Sequence, residues 1–258
     1  MMDTLNYLEI PIVEYCNLNC KGCSHFSSLA KKDECLSYEE IKRDVIRLKE
    51  LIPNILQIRI LGGEPLLHND LVRILKCVRG VYSRSEIRVV TNGLLLPKMK
   101  NDFWETLREY GVCIDISMYK TTLQNWSKIL EVLKIENANY KCTNLIEKFR
   151  KRMVLNPQDS ASSNFQNCPV GSNCTCLYKG GISACPAPFV IRHFNSYFNT
   201  SINGDSDILN ICQSNISKED IFTFLKRPLN MCAYCTSPQE FNWEIKNIPE
   251  IQDWVIKE

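Results

Sequence analysis

The 258-residue sequence has no apolar run approaching the ~20 residues that a membrane-spanning helix needs. Its first residues, Met1-Met2-Asp3-Thr4-Leu5-Asn6, show neither the basic flank nor the apolar core of a signal peptide. An excess of either charge is also missing: 31 Lys and Arg stand against 29 Asp and Glu, with the basic residues scattered. Neither nucleic acid nor a membrane is therefore expected as a partner. Histidine is scarce, at three residues, and no spacing singles out His193, Lys120, Arg192 or Tyr119 as a general base. No internal repeat or low-complexity tract is evident. With 45% apolar and 23% charged residues, the composition is that of a globular protein expected in the cytoplasm. The length allows one large domain, or a main domain with a small appendage.

Cysteine, in contrast, is abundant, at 14 residues. Without an export signal a disulfide framework is not expected, and in a reducing compartment clustered cysteines are more often metal ligands. Cys77 and Cys142 are expected to be small buried hydrophobes. The densest cluster is Cys16-Asn17-Leu18-Asn19-Cys20-Lys21-Gly22-Cys23, directly after an apolar segment, residues 7–13, that reads as a strand. Three thiolates on one tight loop can hold three irons of a 4Fe–4S cubane, leaving the fourth iron open. Joined by His25, the same cysteines would instead make a zinc site.

Strand and helix patterns then alternate. Ser37 and Glu40 form a capping box ahead of Ile41, Val45, Leu48 and Leu51 at helical spacing. Residues 56–61 read as a strand ending in Gly62-Gly63-Glu64-Pro65, followed by a helix capped by Asn69. Residues 86–91 and 112–117 are further strands, closed by Asn92-Gly93 and by Ser117. Asp102 with Glu105, and Thr121 with Gln124, are expected to cap the helices between and after them. Weaker strands are expected at 139–143 and 153–155, around a short helix at 145–150. Units of about 25–30 residues argue for an α/β fold, a partial parallel (β/α) barrel of about five or six units. Chemistry in such sheets sits at the carboxyl ends of strands, where Cys16, Gly62, Asn92 and Ser117 all fall.

Beyond Pro157 the character changes to a polar linker and then an irregular module with Cys168, Cys174, Cys176, Cys185, Cys232 and Cys235. Residues 177–183 read as a hairpin turning at Gly180-Gly181, and Ser217 to Asp220 as a helix start. The domain division expected is therefore 1–157 and 158–258.

The pattern Cys16-x3-Cys20-x2-Cys23, followed about forty residues later by Gly62-Gly63-Glu64-Pro65, resembles the radical SAM superfamily. The resemblance implies a cluster on Cys16, Cys20 and Cys23 whose open iron chelates S-adenosylmethionine. It further implies that Gly62, Gly63, Glu64 and Pro65 contact the amino group of that cofactor, and that Asn92 and Ser117 contact its ribose or carboxylate. One departure stands out: the residue before the third cysteine, usually aromatic in the family, is Gly22, so packing on adenine is expected from elsewhere, with Phe26 a candidate. Cys168, Cys185, Cys232 and Cys235 resemble the cysteine-rich C-terminal twitch form of the SPASM module, which holds one auxiliary 4Fe–4S cluster. A zinc ribbon is the alternative there, and Cys174 and Cys176 are surplus to the pattern.

The nearest parallel in layout is the aminocyclitol (deoxy-scyllo-inosamine) dehydrogenase family. It implies oxidation of an alcohol on a small, polar, carbohydrate-like substrate, with the auxiliary cluster as electron acceptor and a flavodoxin- or ferredoxin-type electron donor. An epimerase of a similar substrate, a maturase of ribosomally made peptides and a zinc- or Fe–S-binding interaction protein are the alternatives. The maturase is disfavoured because the first strand begins by residue 7, which leaves no room for a recognition domain before it.

Overall fold

The computed structural model describes residues 4–171 and 174–257, which form two compact units. The first comprises residues up to Val13 and Cys35–Glu147; the second comprises Glu14–Glu34 and Lys148–Glu258. The three-cysteine loop thus belongs with the second unit, although it leaves the first strand of the first.

In the first unit the order is β1 (Thr4–Val13), α1 (Tyr38–Leu51), β2 (Asn54–Gly62), α2 (Leu71–Val81), β3 (Glu86–Thr91), α3 (Asn101–Glu109), β4 (Cys113–Ile116), α4 (Lys120–Gln124), α5 (Trp126–Ile135) and β5 (Tyr140–Cys142). Its five strands are all parallel and neighbour one another in chain order, as repeated crossovers through helices require. This is the expected partial (β/α) barrel, with five strands. Leu8, Ile10, Ile58, Ile60, Ile87, Val89, Ile114 and Ile116 alternate along the strands and are buried together with Ile41, Val45, Leu48, Ile74, Leu75 and Val78 from the helices. The alternate strand positions carry a polar group: Arg59 bonds Asp115 at 2.7 Å and Tyr7 at 3.0 Å, and Arg88 joins the same carboxylate at 3.3 Å.

The second unit has β6 (Lys148–Met153), α6 (Ala161–Gln166), β7 (Cys176–Tyr178), β8 (Gly181–Ser183), α7 (Ala187–Phe198), β9 (Leu209–Asn210), α8 (Lys218–Leu225) and β10 (Cys235–Asn242). The β7–β8 hairpin turns at Lys179 and Gly180, both in the left-handed region (φ 48° and 73°). Strand β10 pairs antiparallel with β6. Among the described residues no helix is long and apolar enough to cross a membrane.

The capping box expected at Ser37–Glu40 forms, and the helix start expected at Ser217 to Asp220 closes in a capping box too. Other local expectations are displaced. Asp70, not Asn69, precedes α2, Lys100 precedes α3, and Asn125 breaks the segment after Thr121 into α4 and α5. No helix forms at 145–150: residues 145–147 have no regular structure, and 148–150 open strand β6, whose pairing with β10 satisfies their backbone. Cys142 is exposed on outer strand β5, and Cys77 is half-buried, so neither is a core residue.

Candidate functional site

The carboxyl ends of β1 and β2 meet in a way that glycine alone permits. Gly62 has φ +138°, and a Cβ there would lie 2.0 Å from the Val13 carbonyl oxygen. Gly63 N–H donates to that same oxygen at 2.7 Å. Glu64 then turns inward and is fully buried. Its Oε1 accepts from Leu66 N–H (3.1 Å) and Thr91 Oγ1 (2.7 Å), and its Oε2 from Asn92 N–H (2.9 Å). The Asn92 side-chain oxygen accepts from Leu94 N–H at 3.1 Å, and its carbonyl takes the Thr122 hydroxyl at 2.8 Å. Ser117 N–H donates to Thr91 O at 2.9 Å, and Thr122 Oγ1 also reaches Ser117 O. One network therefore brings Gly62, Gly63, Glu64, Asn92 and Ser117 together at the ends of β2, β3 and β4, with buried Pro65 opening the next turn. Sequence reasoning missed Thr91 and Thr122, the residues that tie it; a threonine beside a loop carries no signal of its own.

Burial pushes the Glu64 carboxyl up to about 7 from an ordinary 4.5, against the pull of its three donors. The native state therefore keeps a proton that the unfolded chain has already released. This stability is fully present below about pH 4.5 and is lost as pH rises to about 7, roughly 3 kcal/mol in all. Glu64→Gln is expected to flatten that slope in urea-unfolding curves taken across the window. An unchanged slope would show that another group causes it.

In the second unit, the loop from Cys16 to Cys23 is braced by the segment after β10. Lys21 N–H donates to Glu244 O (3.0 Å), Lys246 N–H to Asn19 O (2.8 Å), and Cys20 pairs with Ile245 in an antiparallel bridge. Trp254 Nε1 donates to Cys23 O at 2.8 Å, and Trp243 Nε1 to Cys20 Sγ at 3.2 Å. Leu18 N–H points at Cys16 Sγ (3.4 Å). Burial and then neighbouring Cys23 push the Cys20 thiol up to about 12, with the Trp243 N–H opposing. Gly22 has φ +63°, and a Cβ on it would meet the Phe241 ring at 2.5 Å and Asp253 O at 2.7 Å. An aromatic side chain has no room there, which accounts for the departure in the motif. Phe26 is not available in its stead: it is buried, with ring centroids 5.5 Å from Phe194 and 5.9 Å from Trp254.

Cys168, Cys185 and the later pair Cys232 and Cys235 line one cavity of about 400 Å³. Burial pushes the Cys185 thiol up strongly and the Cys235 thiol up to about 11, and the proximity of the other thiols adds to both. Gly171 N–H donates to Cys168 Sγ at 3.4 Å. Surplus Cys176 is buried on β7 and does not line this cavity, and neither does Cys174. Four soft donors around a space much larger than one ion fit a multinuclear cluster better than a single zinc.

His193 and Arg192 both engage buried Glu14, as does the Tyr178 hydroxyl, and Arg192 also bonds Glu34 at 2.6 Å. The guanidinium supplies the positive charge between these carboxylates, so the group is a complete ion-pair cluster. Its members hold the chain just ahead of Cys16.

The radical SAM superfamily matches residues 10–156. The GTP 3′,8-cyclase of Alkaliphilus oremlandii is 36% identical over 110 residues, which are 42% of this chain and 32% of the relative. That of Peptoclostridium acidaminophilum is 35% identical over 138 residues, 50% of this chain and 42% of the relative. The chain spans less than half the length of these curated relatives. Among solved structures, BtrN in complex with AdoMet and 2-DOIA is 15% identical with a TM-score of 0.50, over 98% of each chain, a likeness of fold.

Proposed function

Because the chain belongs to the radical SAM superfamily, we propose that Cys16, Cys20 and Cys23 hold a 4Fe–4S cluster with an open iron. In the same reading Gly62, Gly63, Glu64, Pro65, Asn92 and Ser117 receive S-adenosylmethionine. Bound there, and given one electron from the reduced cluster, these groups would supply a 5′-deoxyadenosyl radical able to abstract a hydrogen atom from a substrate. Gly62 and Gly63 leave the strand end bare, so that a ligand approaches the backbone closely. Glu64, with three donors on its two oxygens, keeps one acceptor direction for an ammonium, whose charge would draw the carboxyl back to its ionised form. Thr91 and Thr122 hold that carboxylate and the Asn92 turn in place.

Cys168, Cys185, Cys232 and Cys235 hold a second 4Fe–4S cluster, which makes residues 158–258 an auxiliary module to a core over 1–157. Four thiols around one cavity are the observation that carries the activity. A fully ligated cluster supplies electron transfer rather than substrate binding, so the reading is dehydrogenation of an alcohol on a small, polar, carbohydrate-like substrate, with reduction by a flavodoxin- or ferredoxin-type donor. A second reading, a rearrangement of GTP, is favoured by the identity to proteins named GTP 3′,8-cyclase.

The test is to supply the reduced protein with S-adenosylmethionine in D2O, together with aminocyclitols, sugars or GTP. The expected product has lost two hydrogens, with one S-adenosylmethionine consumed per turnover. An isomer carrying one solvent deuterium would sink the dehydrogenase in favour of an epimerase. A rearranged nucleotide formed only from GTP would establish the second reading.

A further inference from the structure

The segment from Phe241 to Trp254 touches the three-cysteine loop at Asn19, Cys20, Lys21, Gly22 and Cys23. Most of these contacts are to backbone and would serve any loop of this shape. One is different in kind: the Trp243 indole N–H points at the sulfur of Cys20, 3.2 Å away, on a residue 223 positions distant in sequence. Its direction is held by its neighbours in the chain. Glu244 O accepts from Lys21, Lys246 N–H donates to Asn19, and Ile245 bridges Cys20, so the main chain on the far side of Trp243 runs antiparallel to the loop. Cys20 is buried while Cys16 and Cys23 are half-buried, so water competes least for this sulfur.

An N–H donor to a ligating thiolate withdraws electron density from it and stabilises the more negative, reduced state of a cluster. We propose that Trp243 is a positioning residue that orients the Cys20 thiolate and raises the reduction potential of the cluster it helps to hold. The inference rests on the assignment of Cys16, Cys20 and Cys23 as cluster ligands. Trp254 provides an internal control. It lies in the same segment and braces the same loop, but its indole donates to the Cys23 carbonyl instead of a sulfur.

The experiment uses anaerobically reconstituted full chains of wild type, Trp243→Phe and Trp254→Phe. The cluster in question is identified by the EPR signal that S-adenosylmethionine perturbs, and its midpoint potential is read by titrating that signal. Trp243→Phe is expected to retain the perturbable signal with its midpoint moved to more negative potential. It should also lose an exchangeable-deuteron coupling that pulsed ENDOR detects in wild type. Trp254→Phe should keep both the wild-type potential and the coupling. Unchanged values in Trp243→Phe, or an equal shift in Trp254→Phe, would overturn the proposal. If Trp243→Phe fails to retain iron, Trp243→His, which restores a ring N–H, should recover it; failure of both counts against the proposal. Absence of any perturbable signal in wild type would instead remove the ligand assignment itself.

Discussion

In the Cys16/Cys20/Cys23→Ala variant, iron and sulfide should fall from about eight to about four per chain, and cleavage of S-adenosylmethionine should disappear. The physical ground for a half-loss is that the two thiol sets are supported separately. Cys168, Cys185, Cys232 and Cys235 surround their own cavity, closed by α6, β10 and the chain before it. The three-cysteine loop is held by backbone bonds from Asn19 and Lys21 and by the carbonyl of Cys23, none of which alanine removes. The loop therefore keeps its course while losing its metal ligands. The remaining EPR signal should be insensitive to S-adenosylmethionine. A fall from about four irons to none would mean that the second set holds no cluster, and the argument for dehydrogenation would go with it.

Gly62→Ala should destabilise the protein by about 3 kcal/mol or more in urea unfolding, and with it the S-adenosylmethionine response. Two costs combine at this position. The backbone at φ +138° is closed to an L side chain, and the new Cβ would lie 2.0 Å from Val13 O, a contact that real atoms do not make. Relief requires the ends of β1 and β2 to separate, which breaks the Gly63–Val13 hydrogen bond and displaces the next residue, Glu64. Gly80→Ala is the matched control. It lies near the end of α2, a Cβ there meets nothing within 4 Å, and the substitution should stabilise by up to about 1 kcal/mol. Equal stability of the two variants would show that the β1–β2 approach can relax freely.

These two predictions also mark where sequence stops being sufficient. The alternating strand and helix periods, the capping box at Ser37, the helix start at Ser217 and a hairpin within 177–183, whose turn lies at Lys179-Gly180 and not at Gly180-Gly181 as expected, were legible because each depends on residues within about one turn or one strand of each other. The three-cysteine motif was legible for the same reason, its cysteines lying within eight residues. The caps expected at Asn69, Asp102 and Thr121 were not used: α2 starts one residue later than Asn69 would cap, and α3 and α4 start at Asn101 and Lys120, which leaves Asp102 and Thr121 inside the helices. The second half of the stretch expected as a helix at 145–150 entered strand β6, whose partner, β10, is some ninety residues away.

Sequence by itself therefore determined the class of fold, the three-cysteine loop after β1 and the glycine turn at the end of β2, all consequences of short-range spacing. Only the tertiary structure decided what those features touch. It buried Glu64 under Thr91 and Asn92 and filled the space at Gly22 with Phe241. It also brought Trp243 to Cys20. Each of these is a contact between residues from about 20 to more than 200 positions apart, and such contacts exist only once burial of the core has brought the elements together.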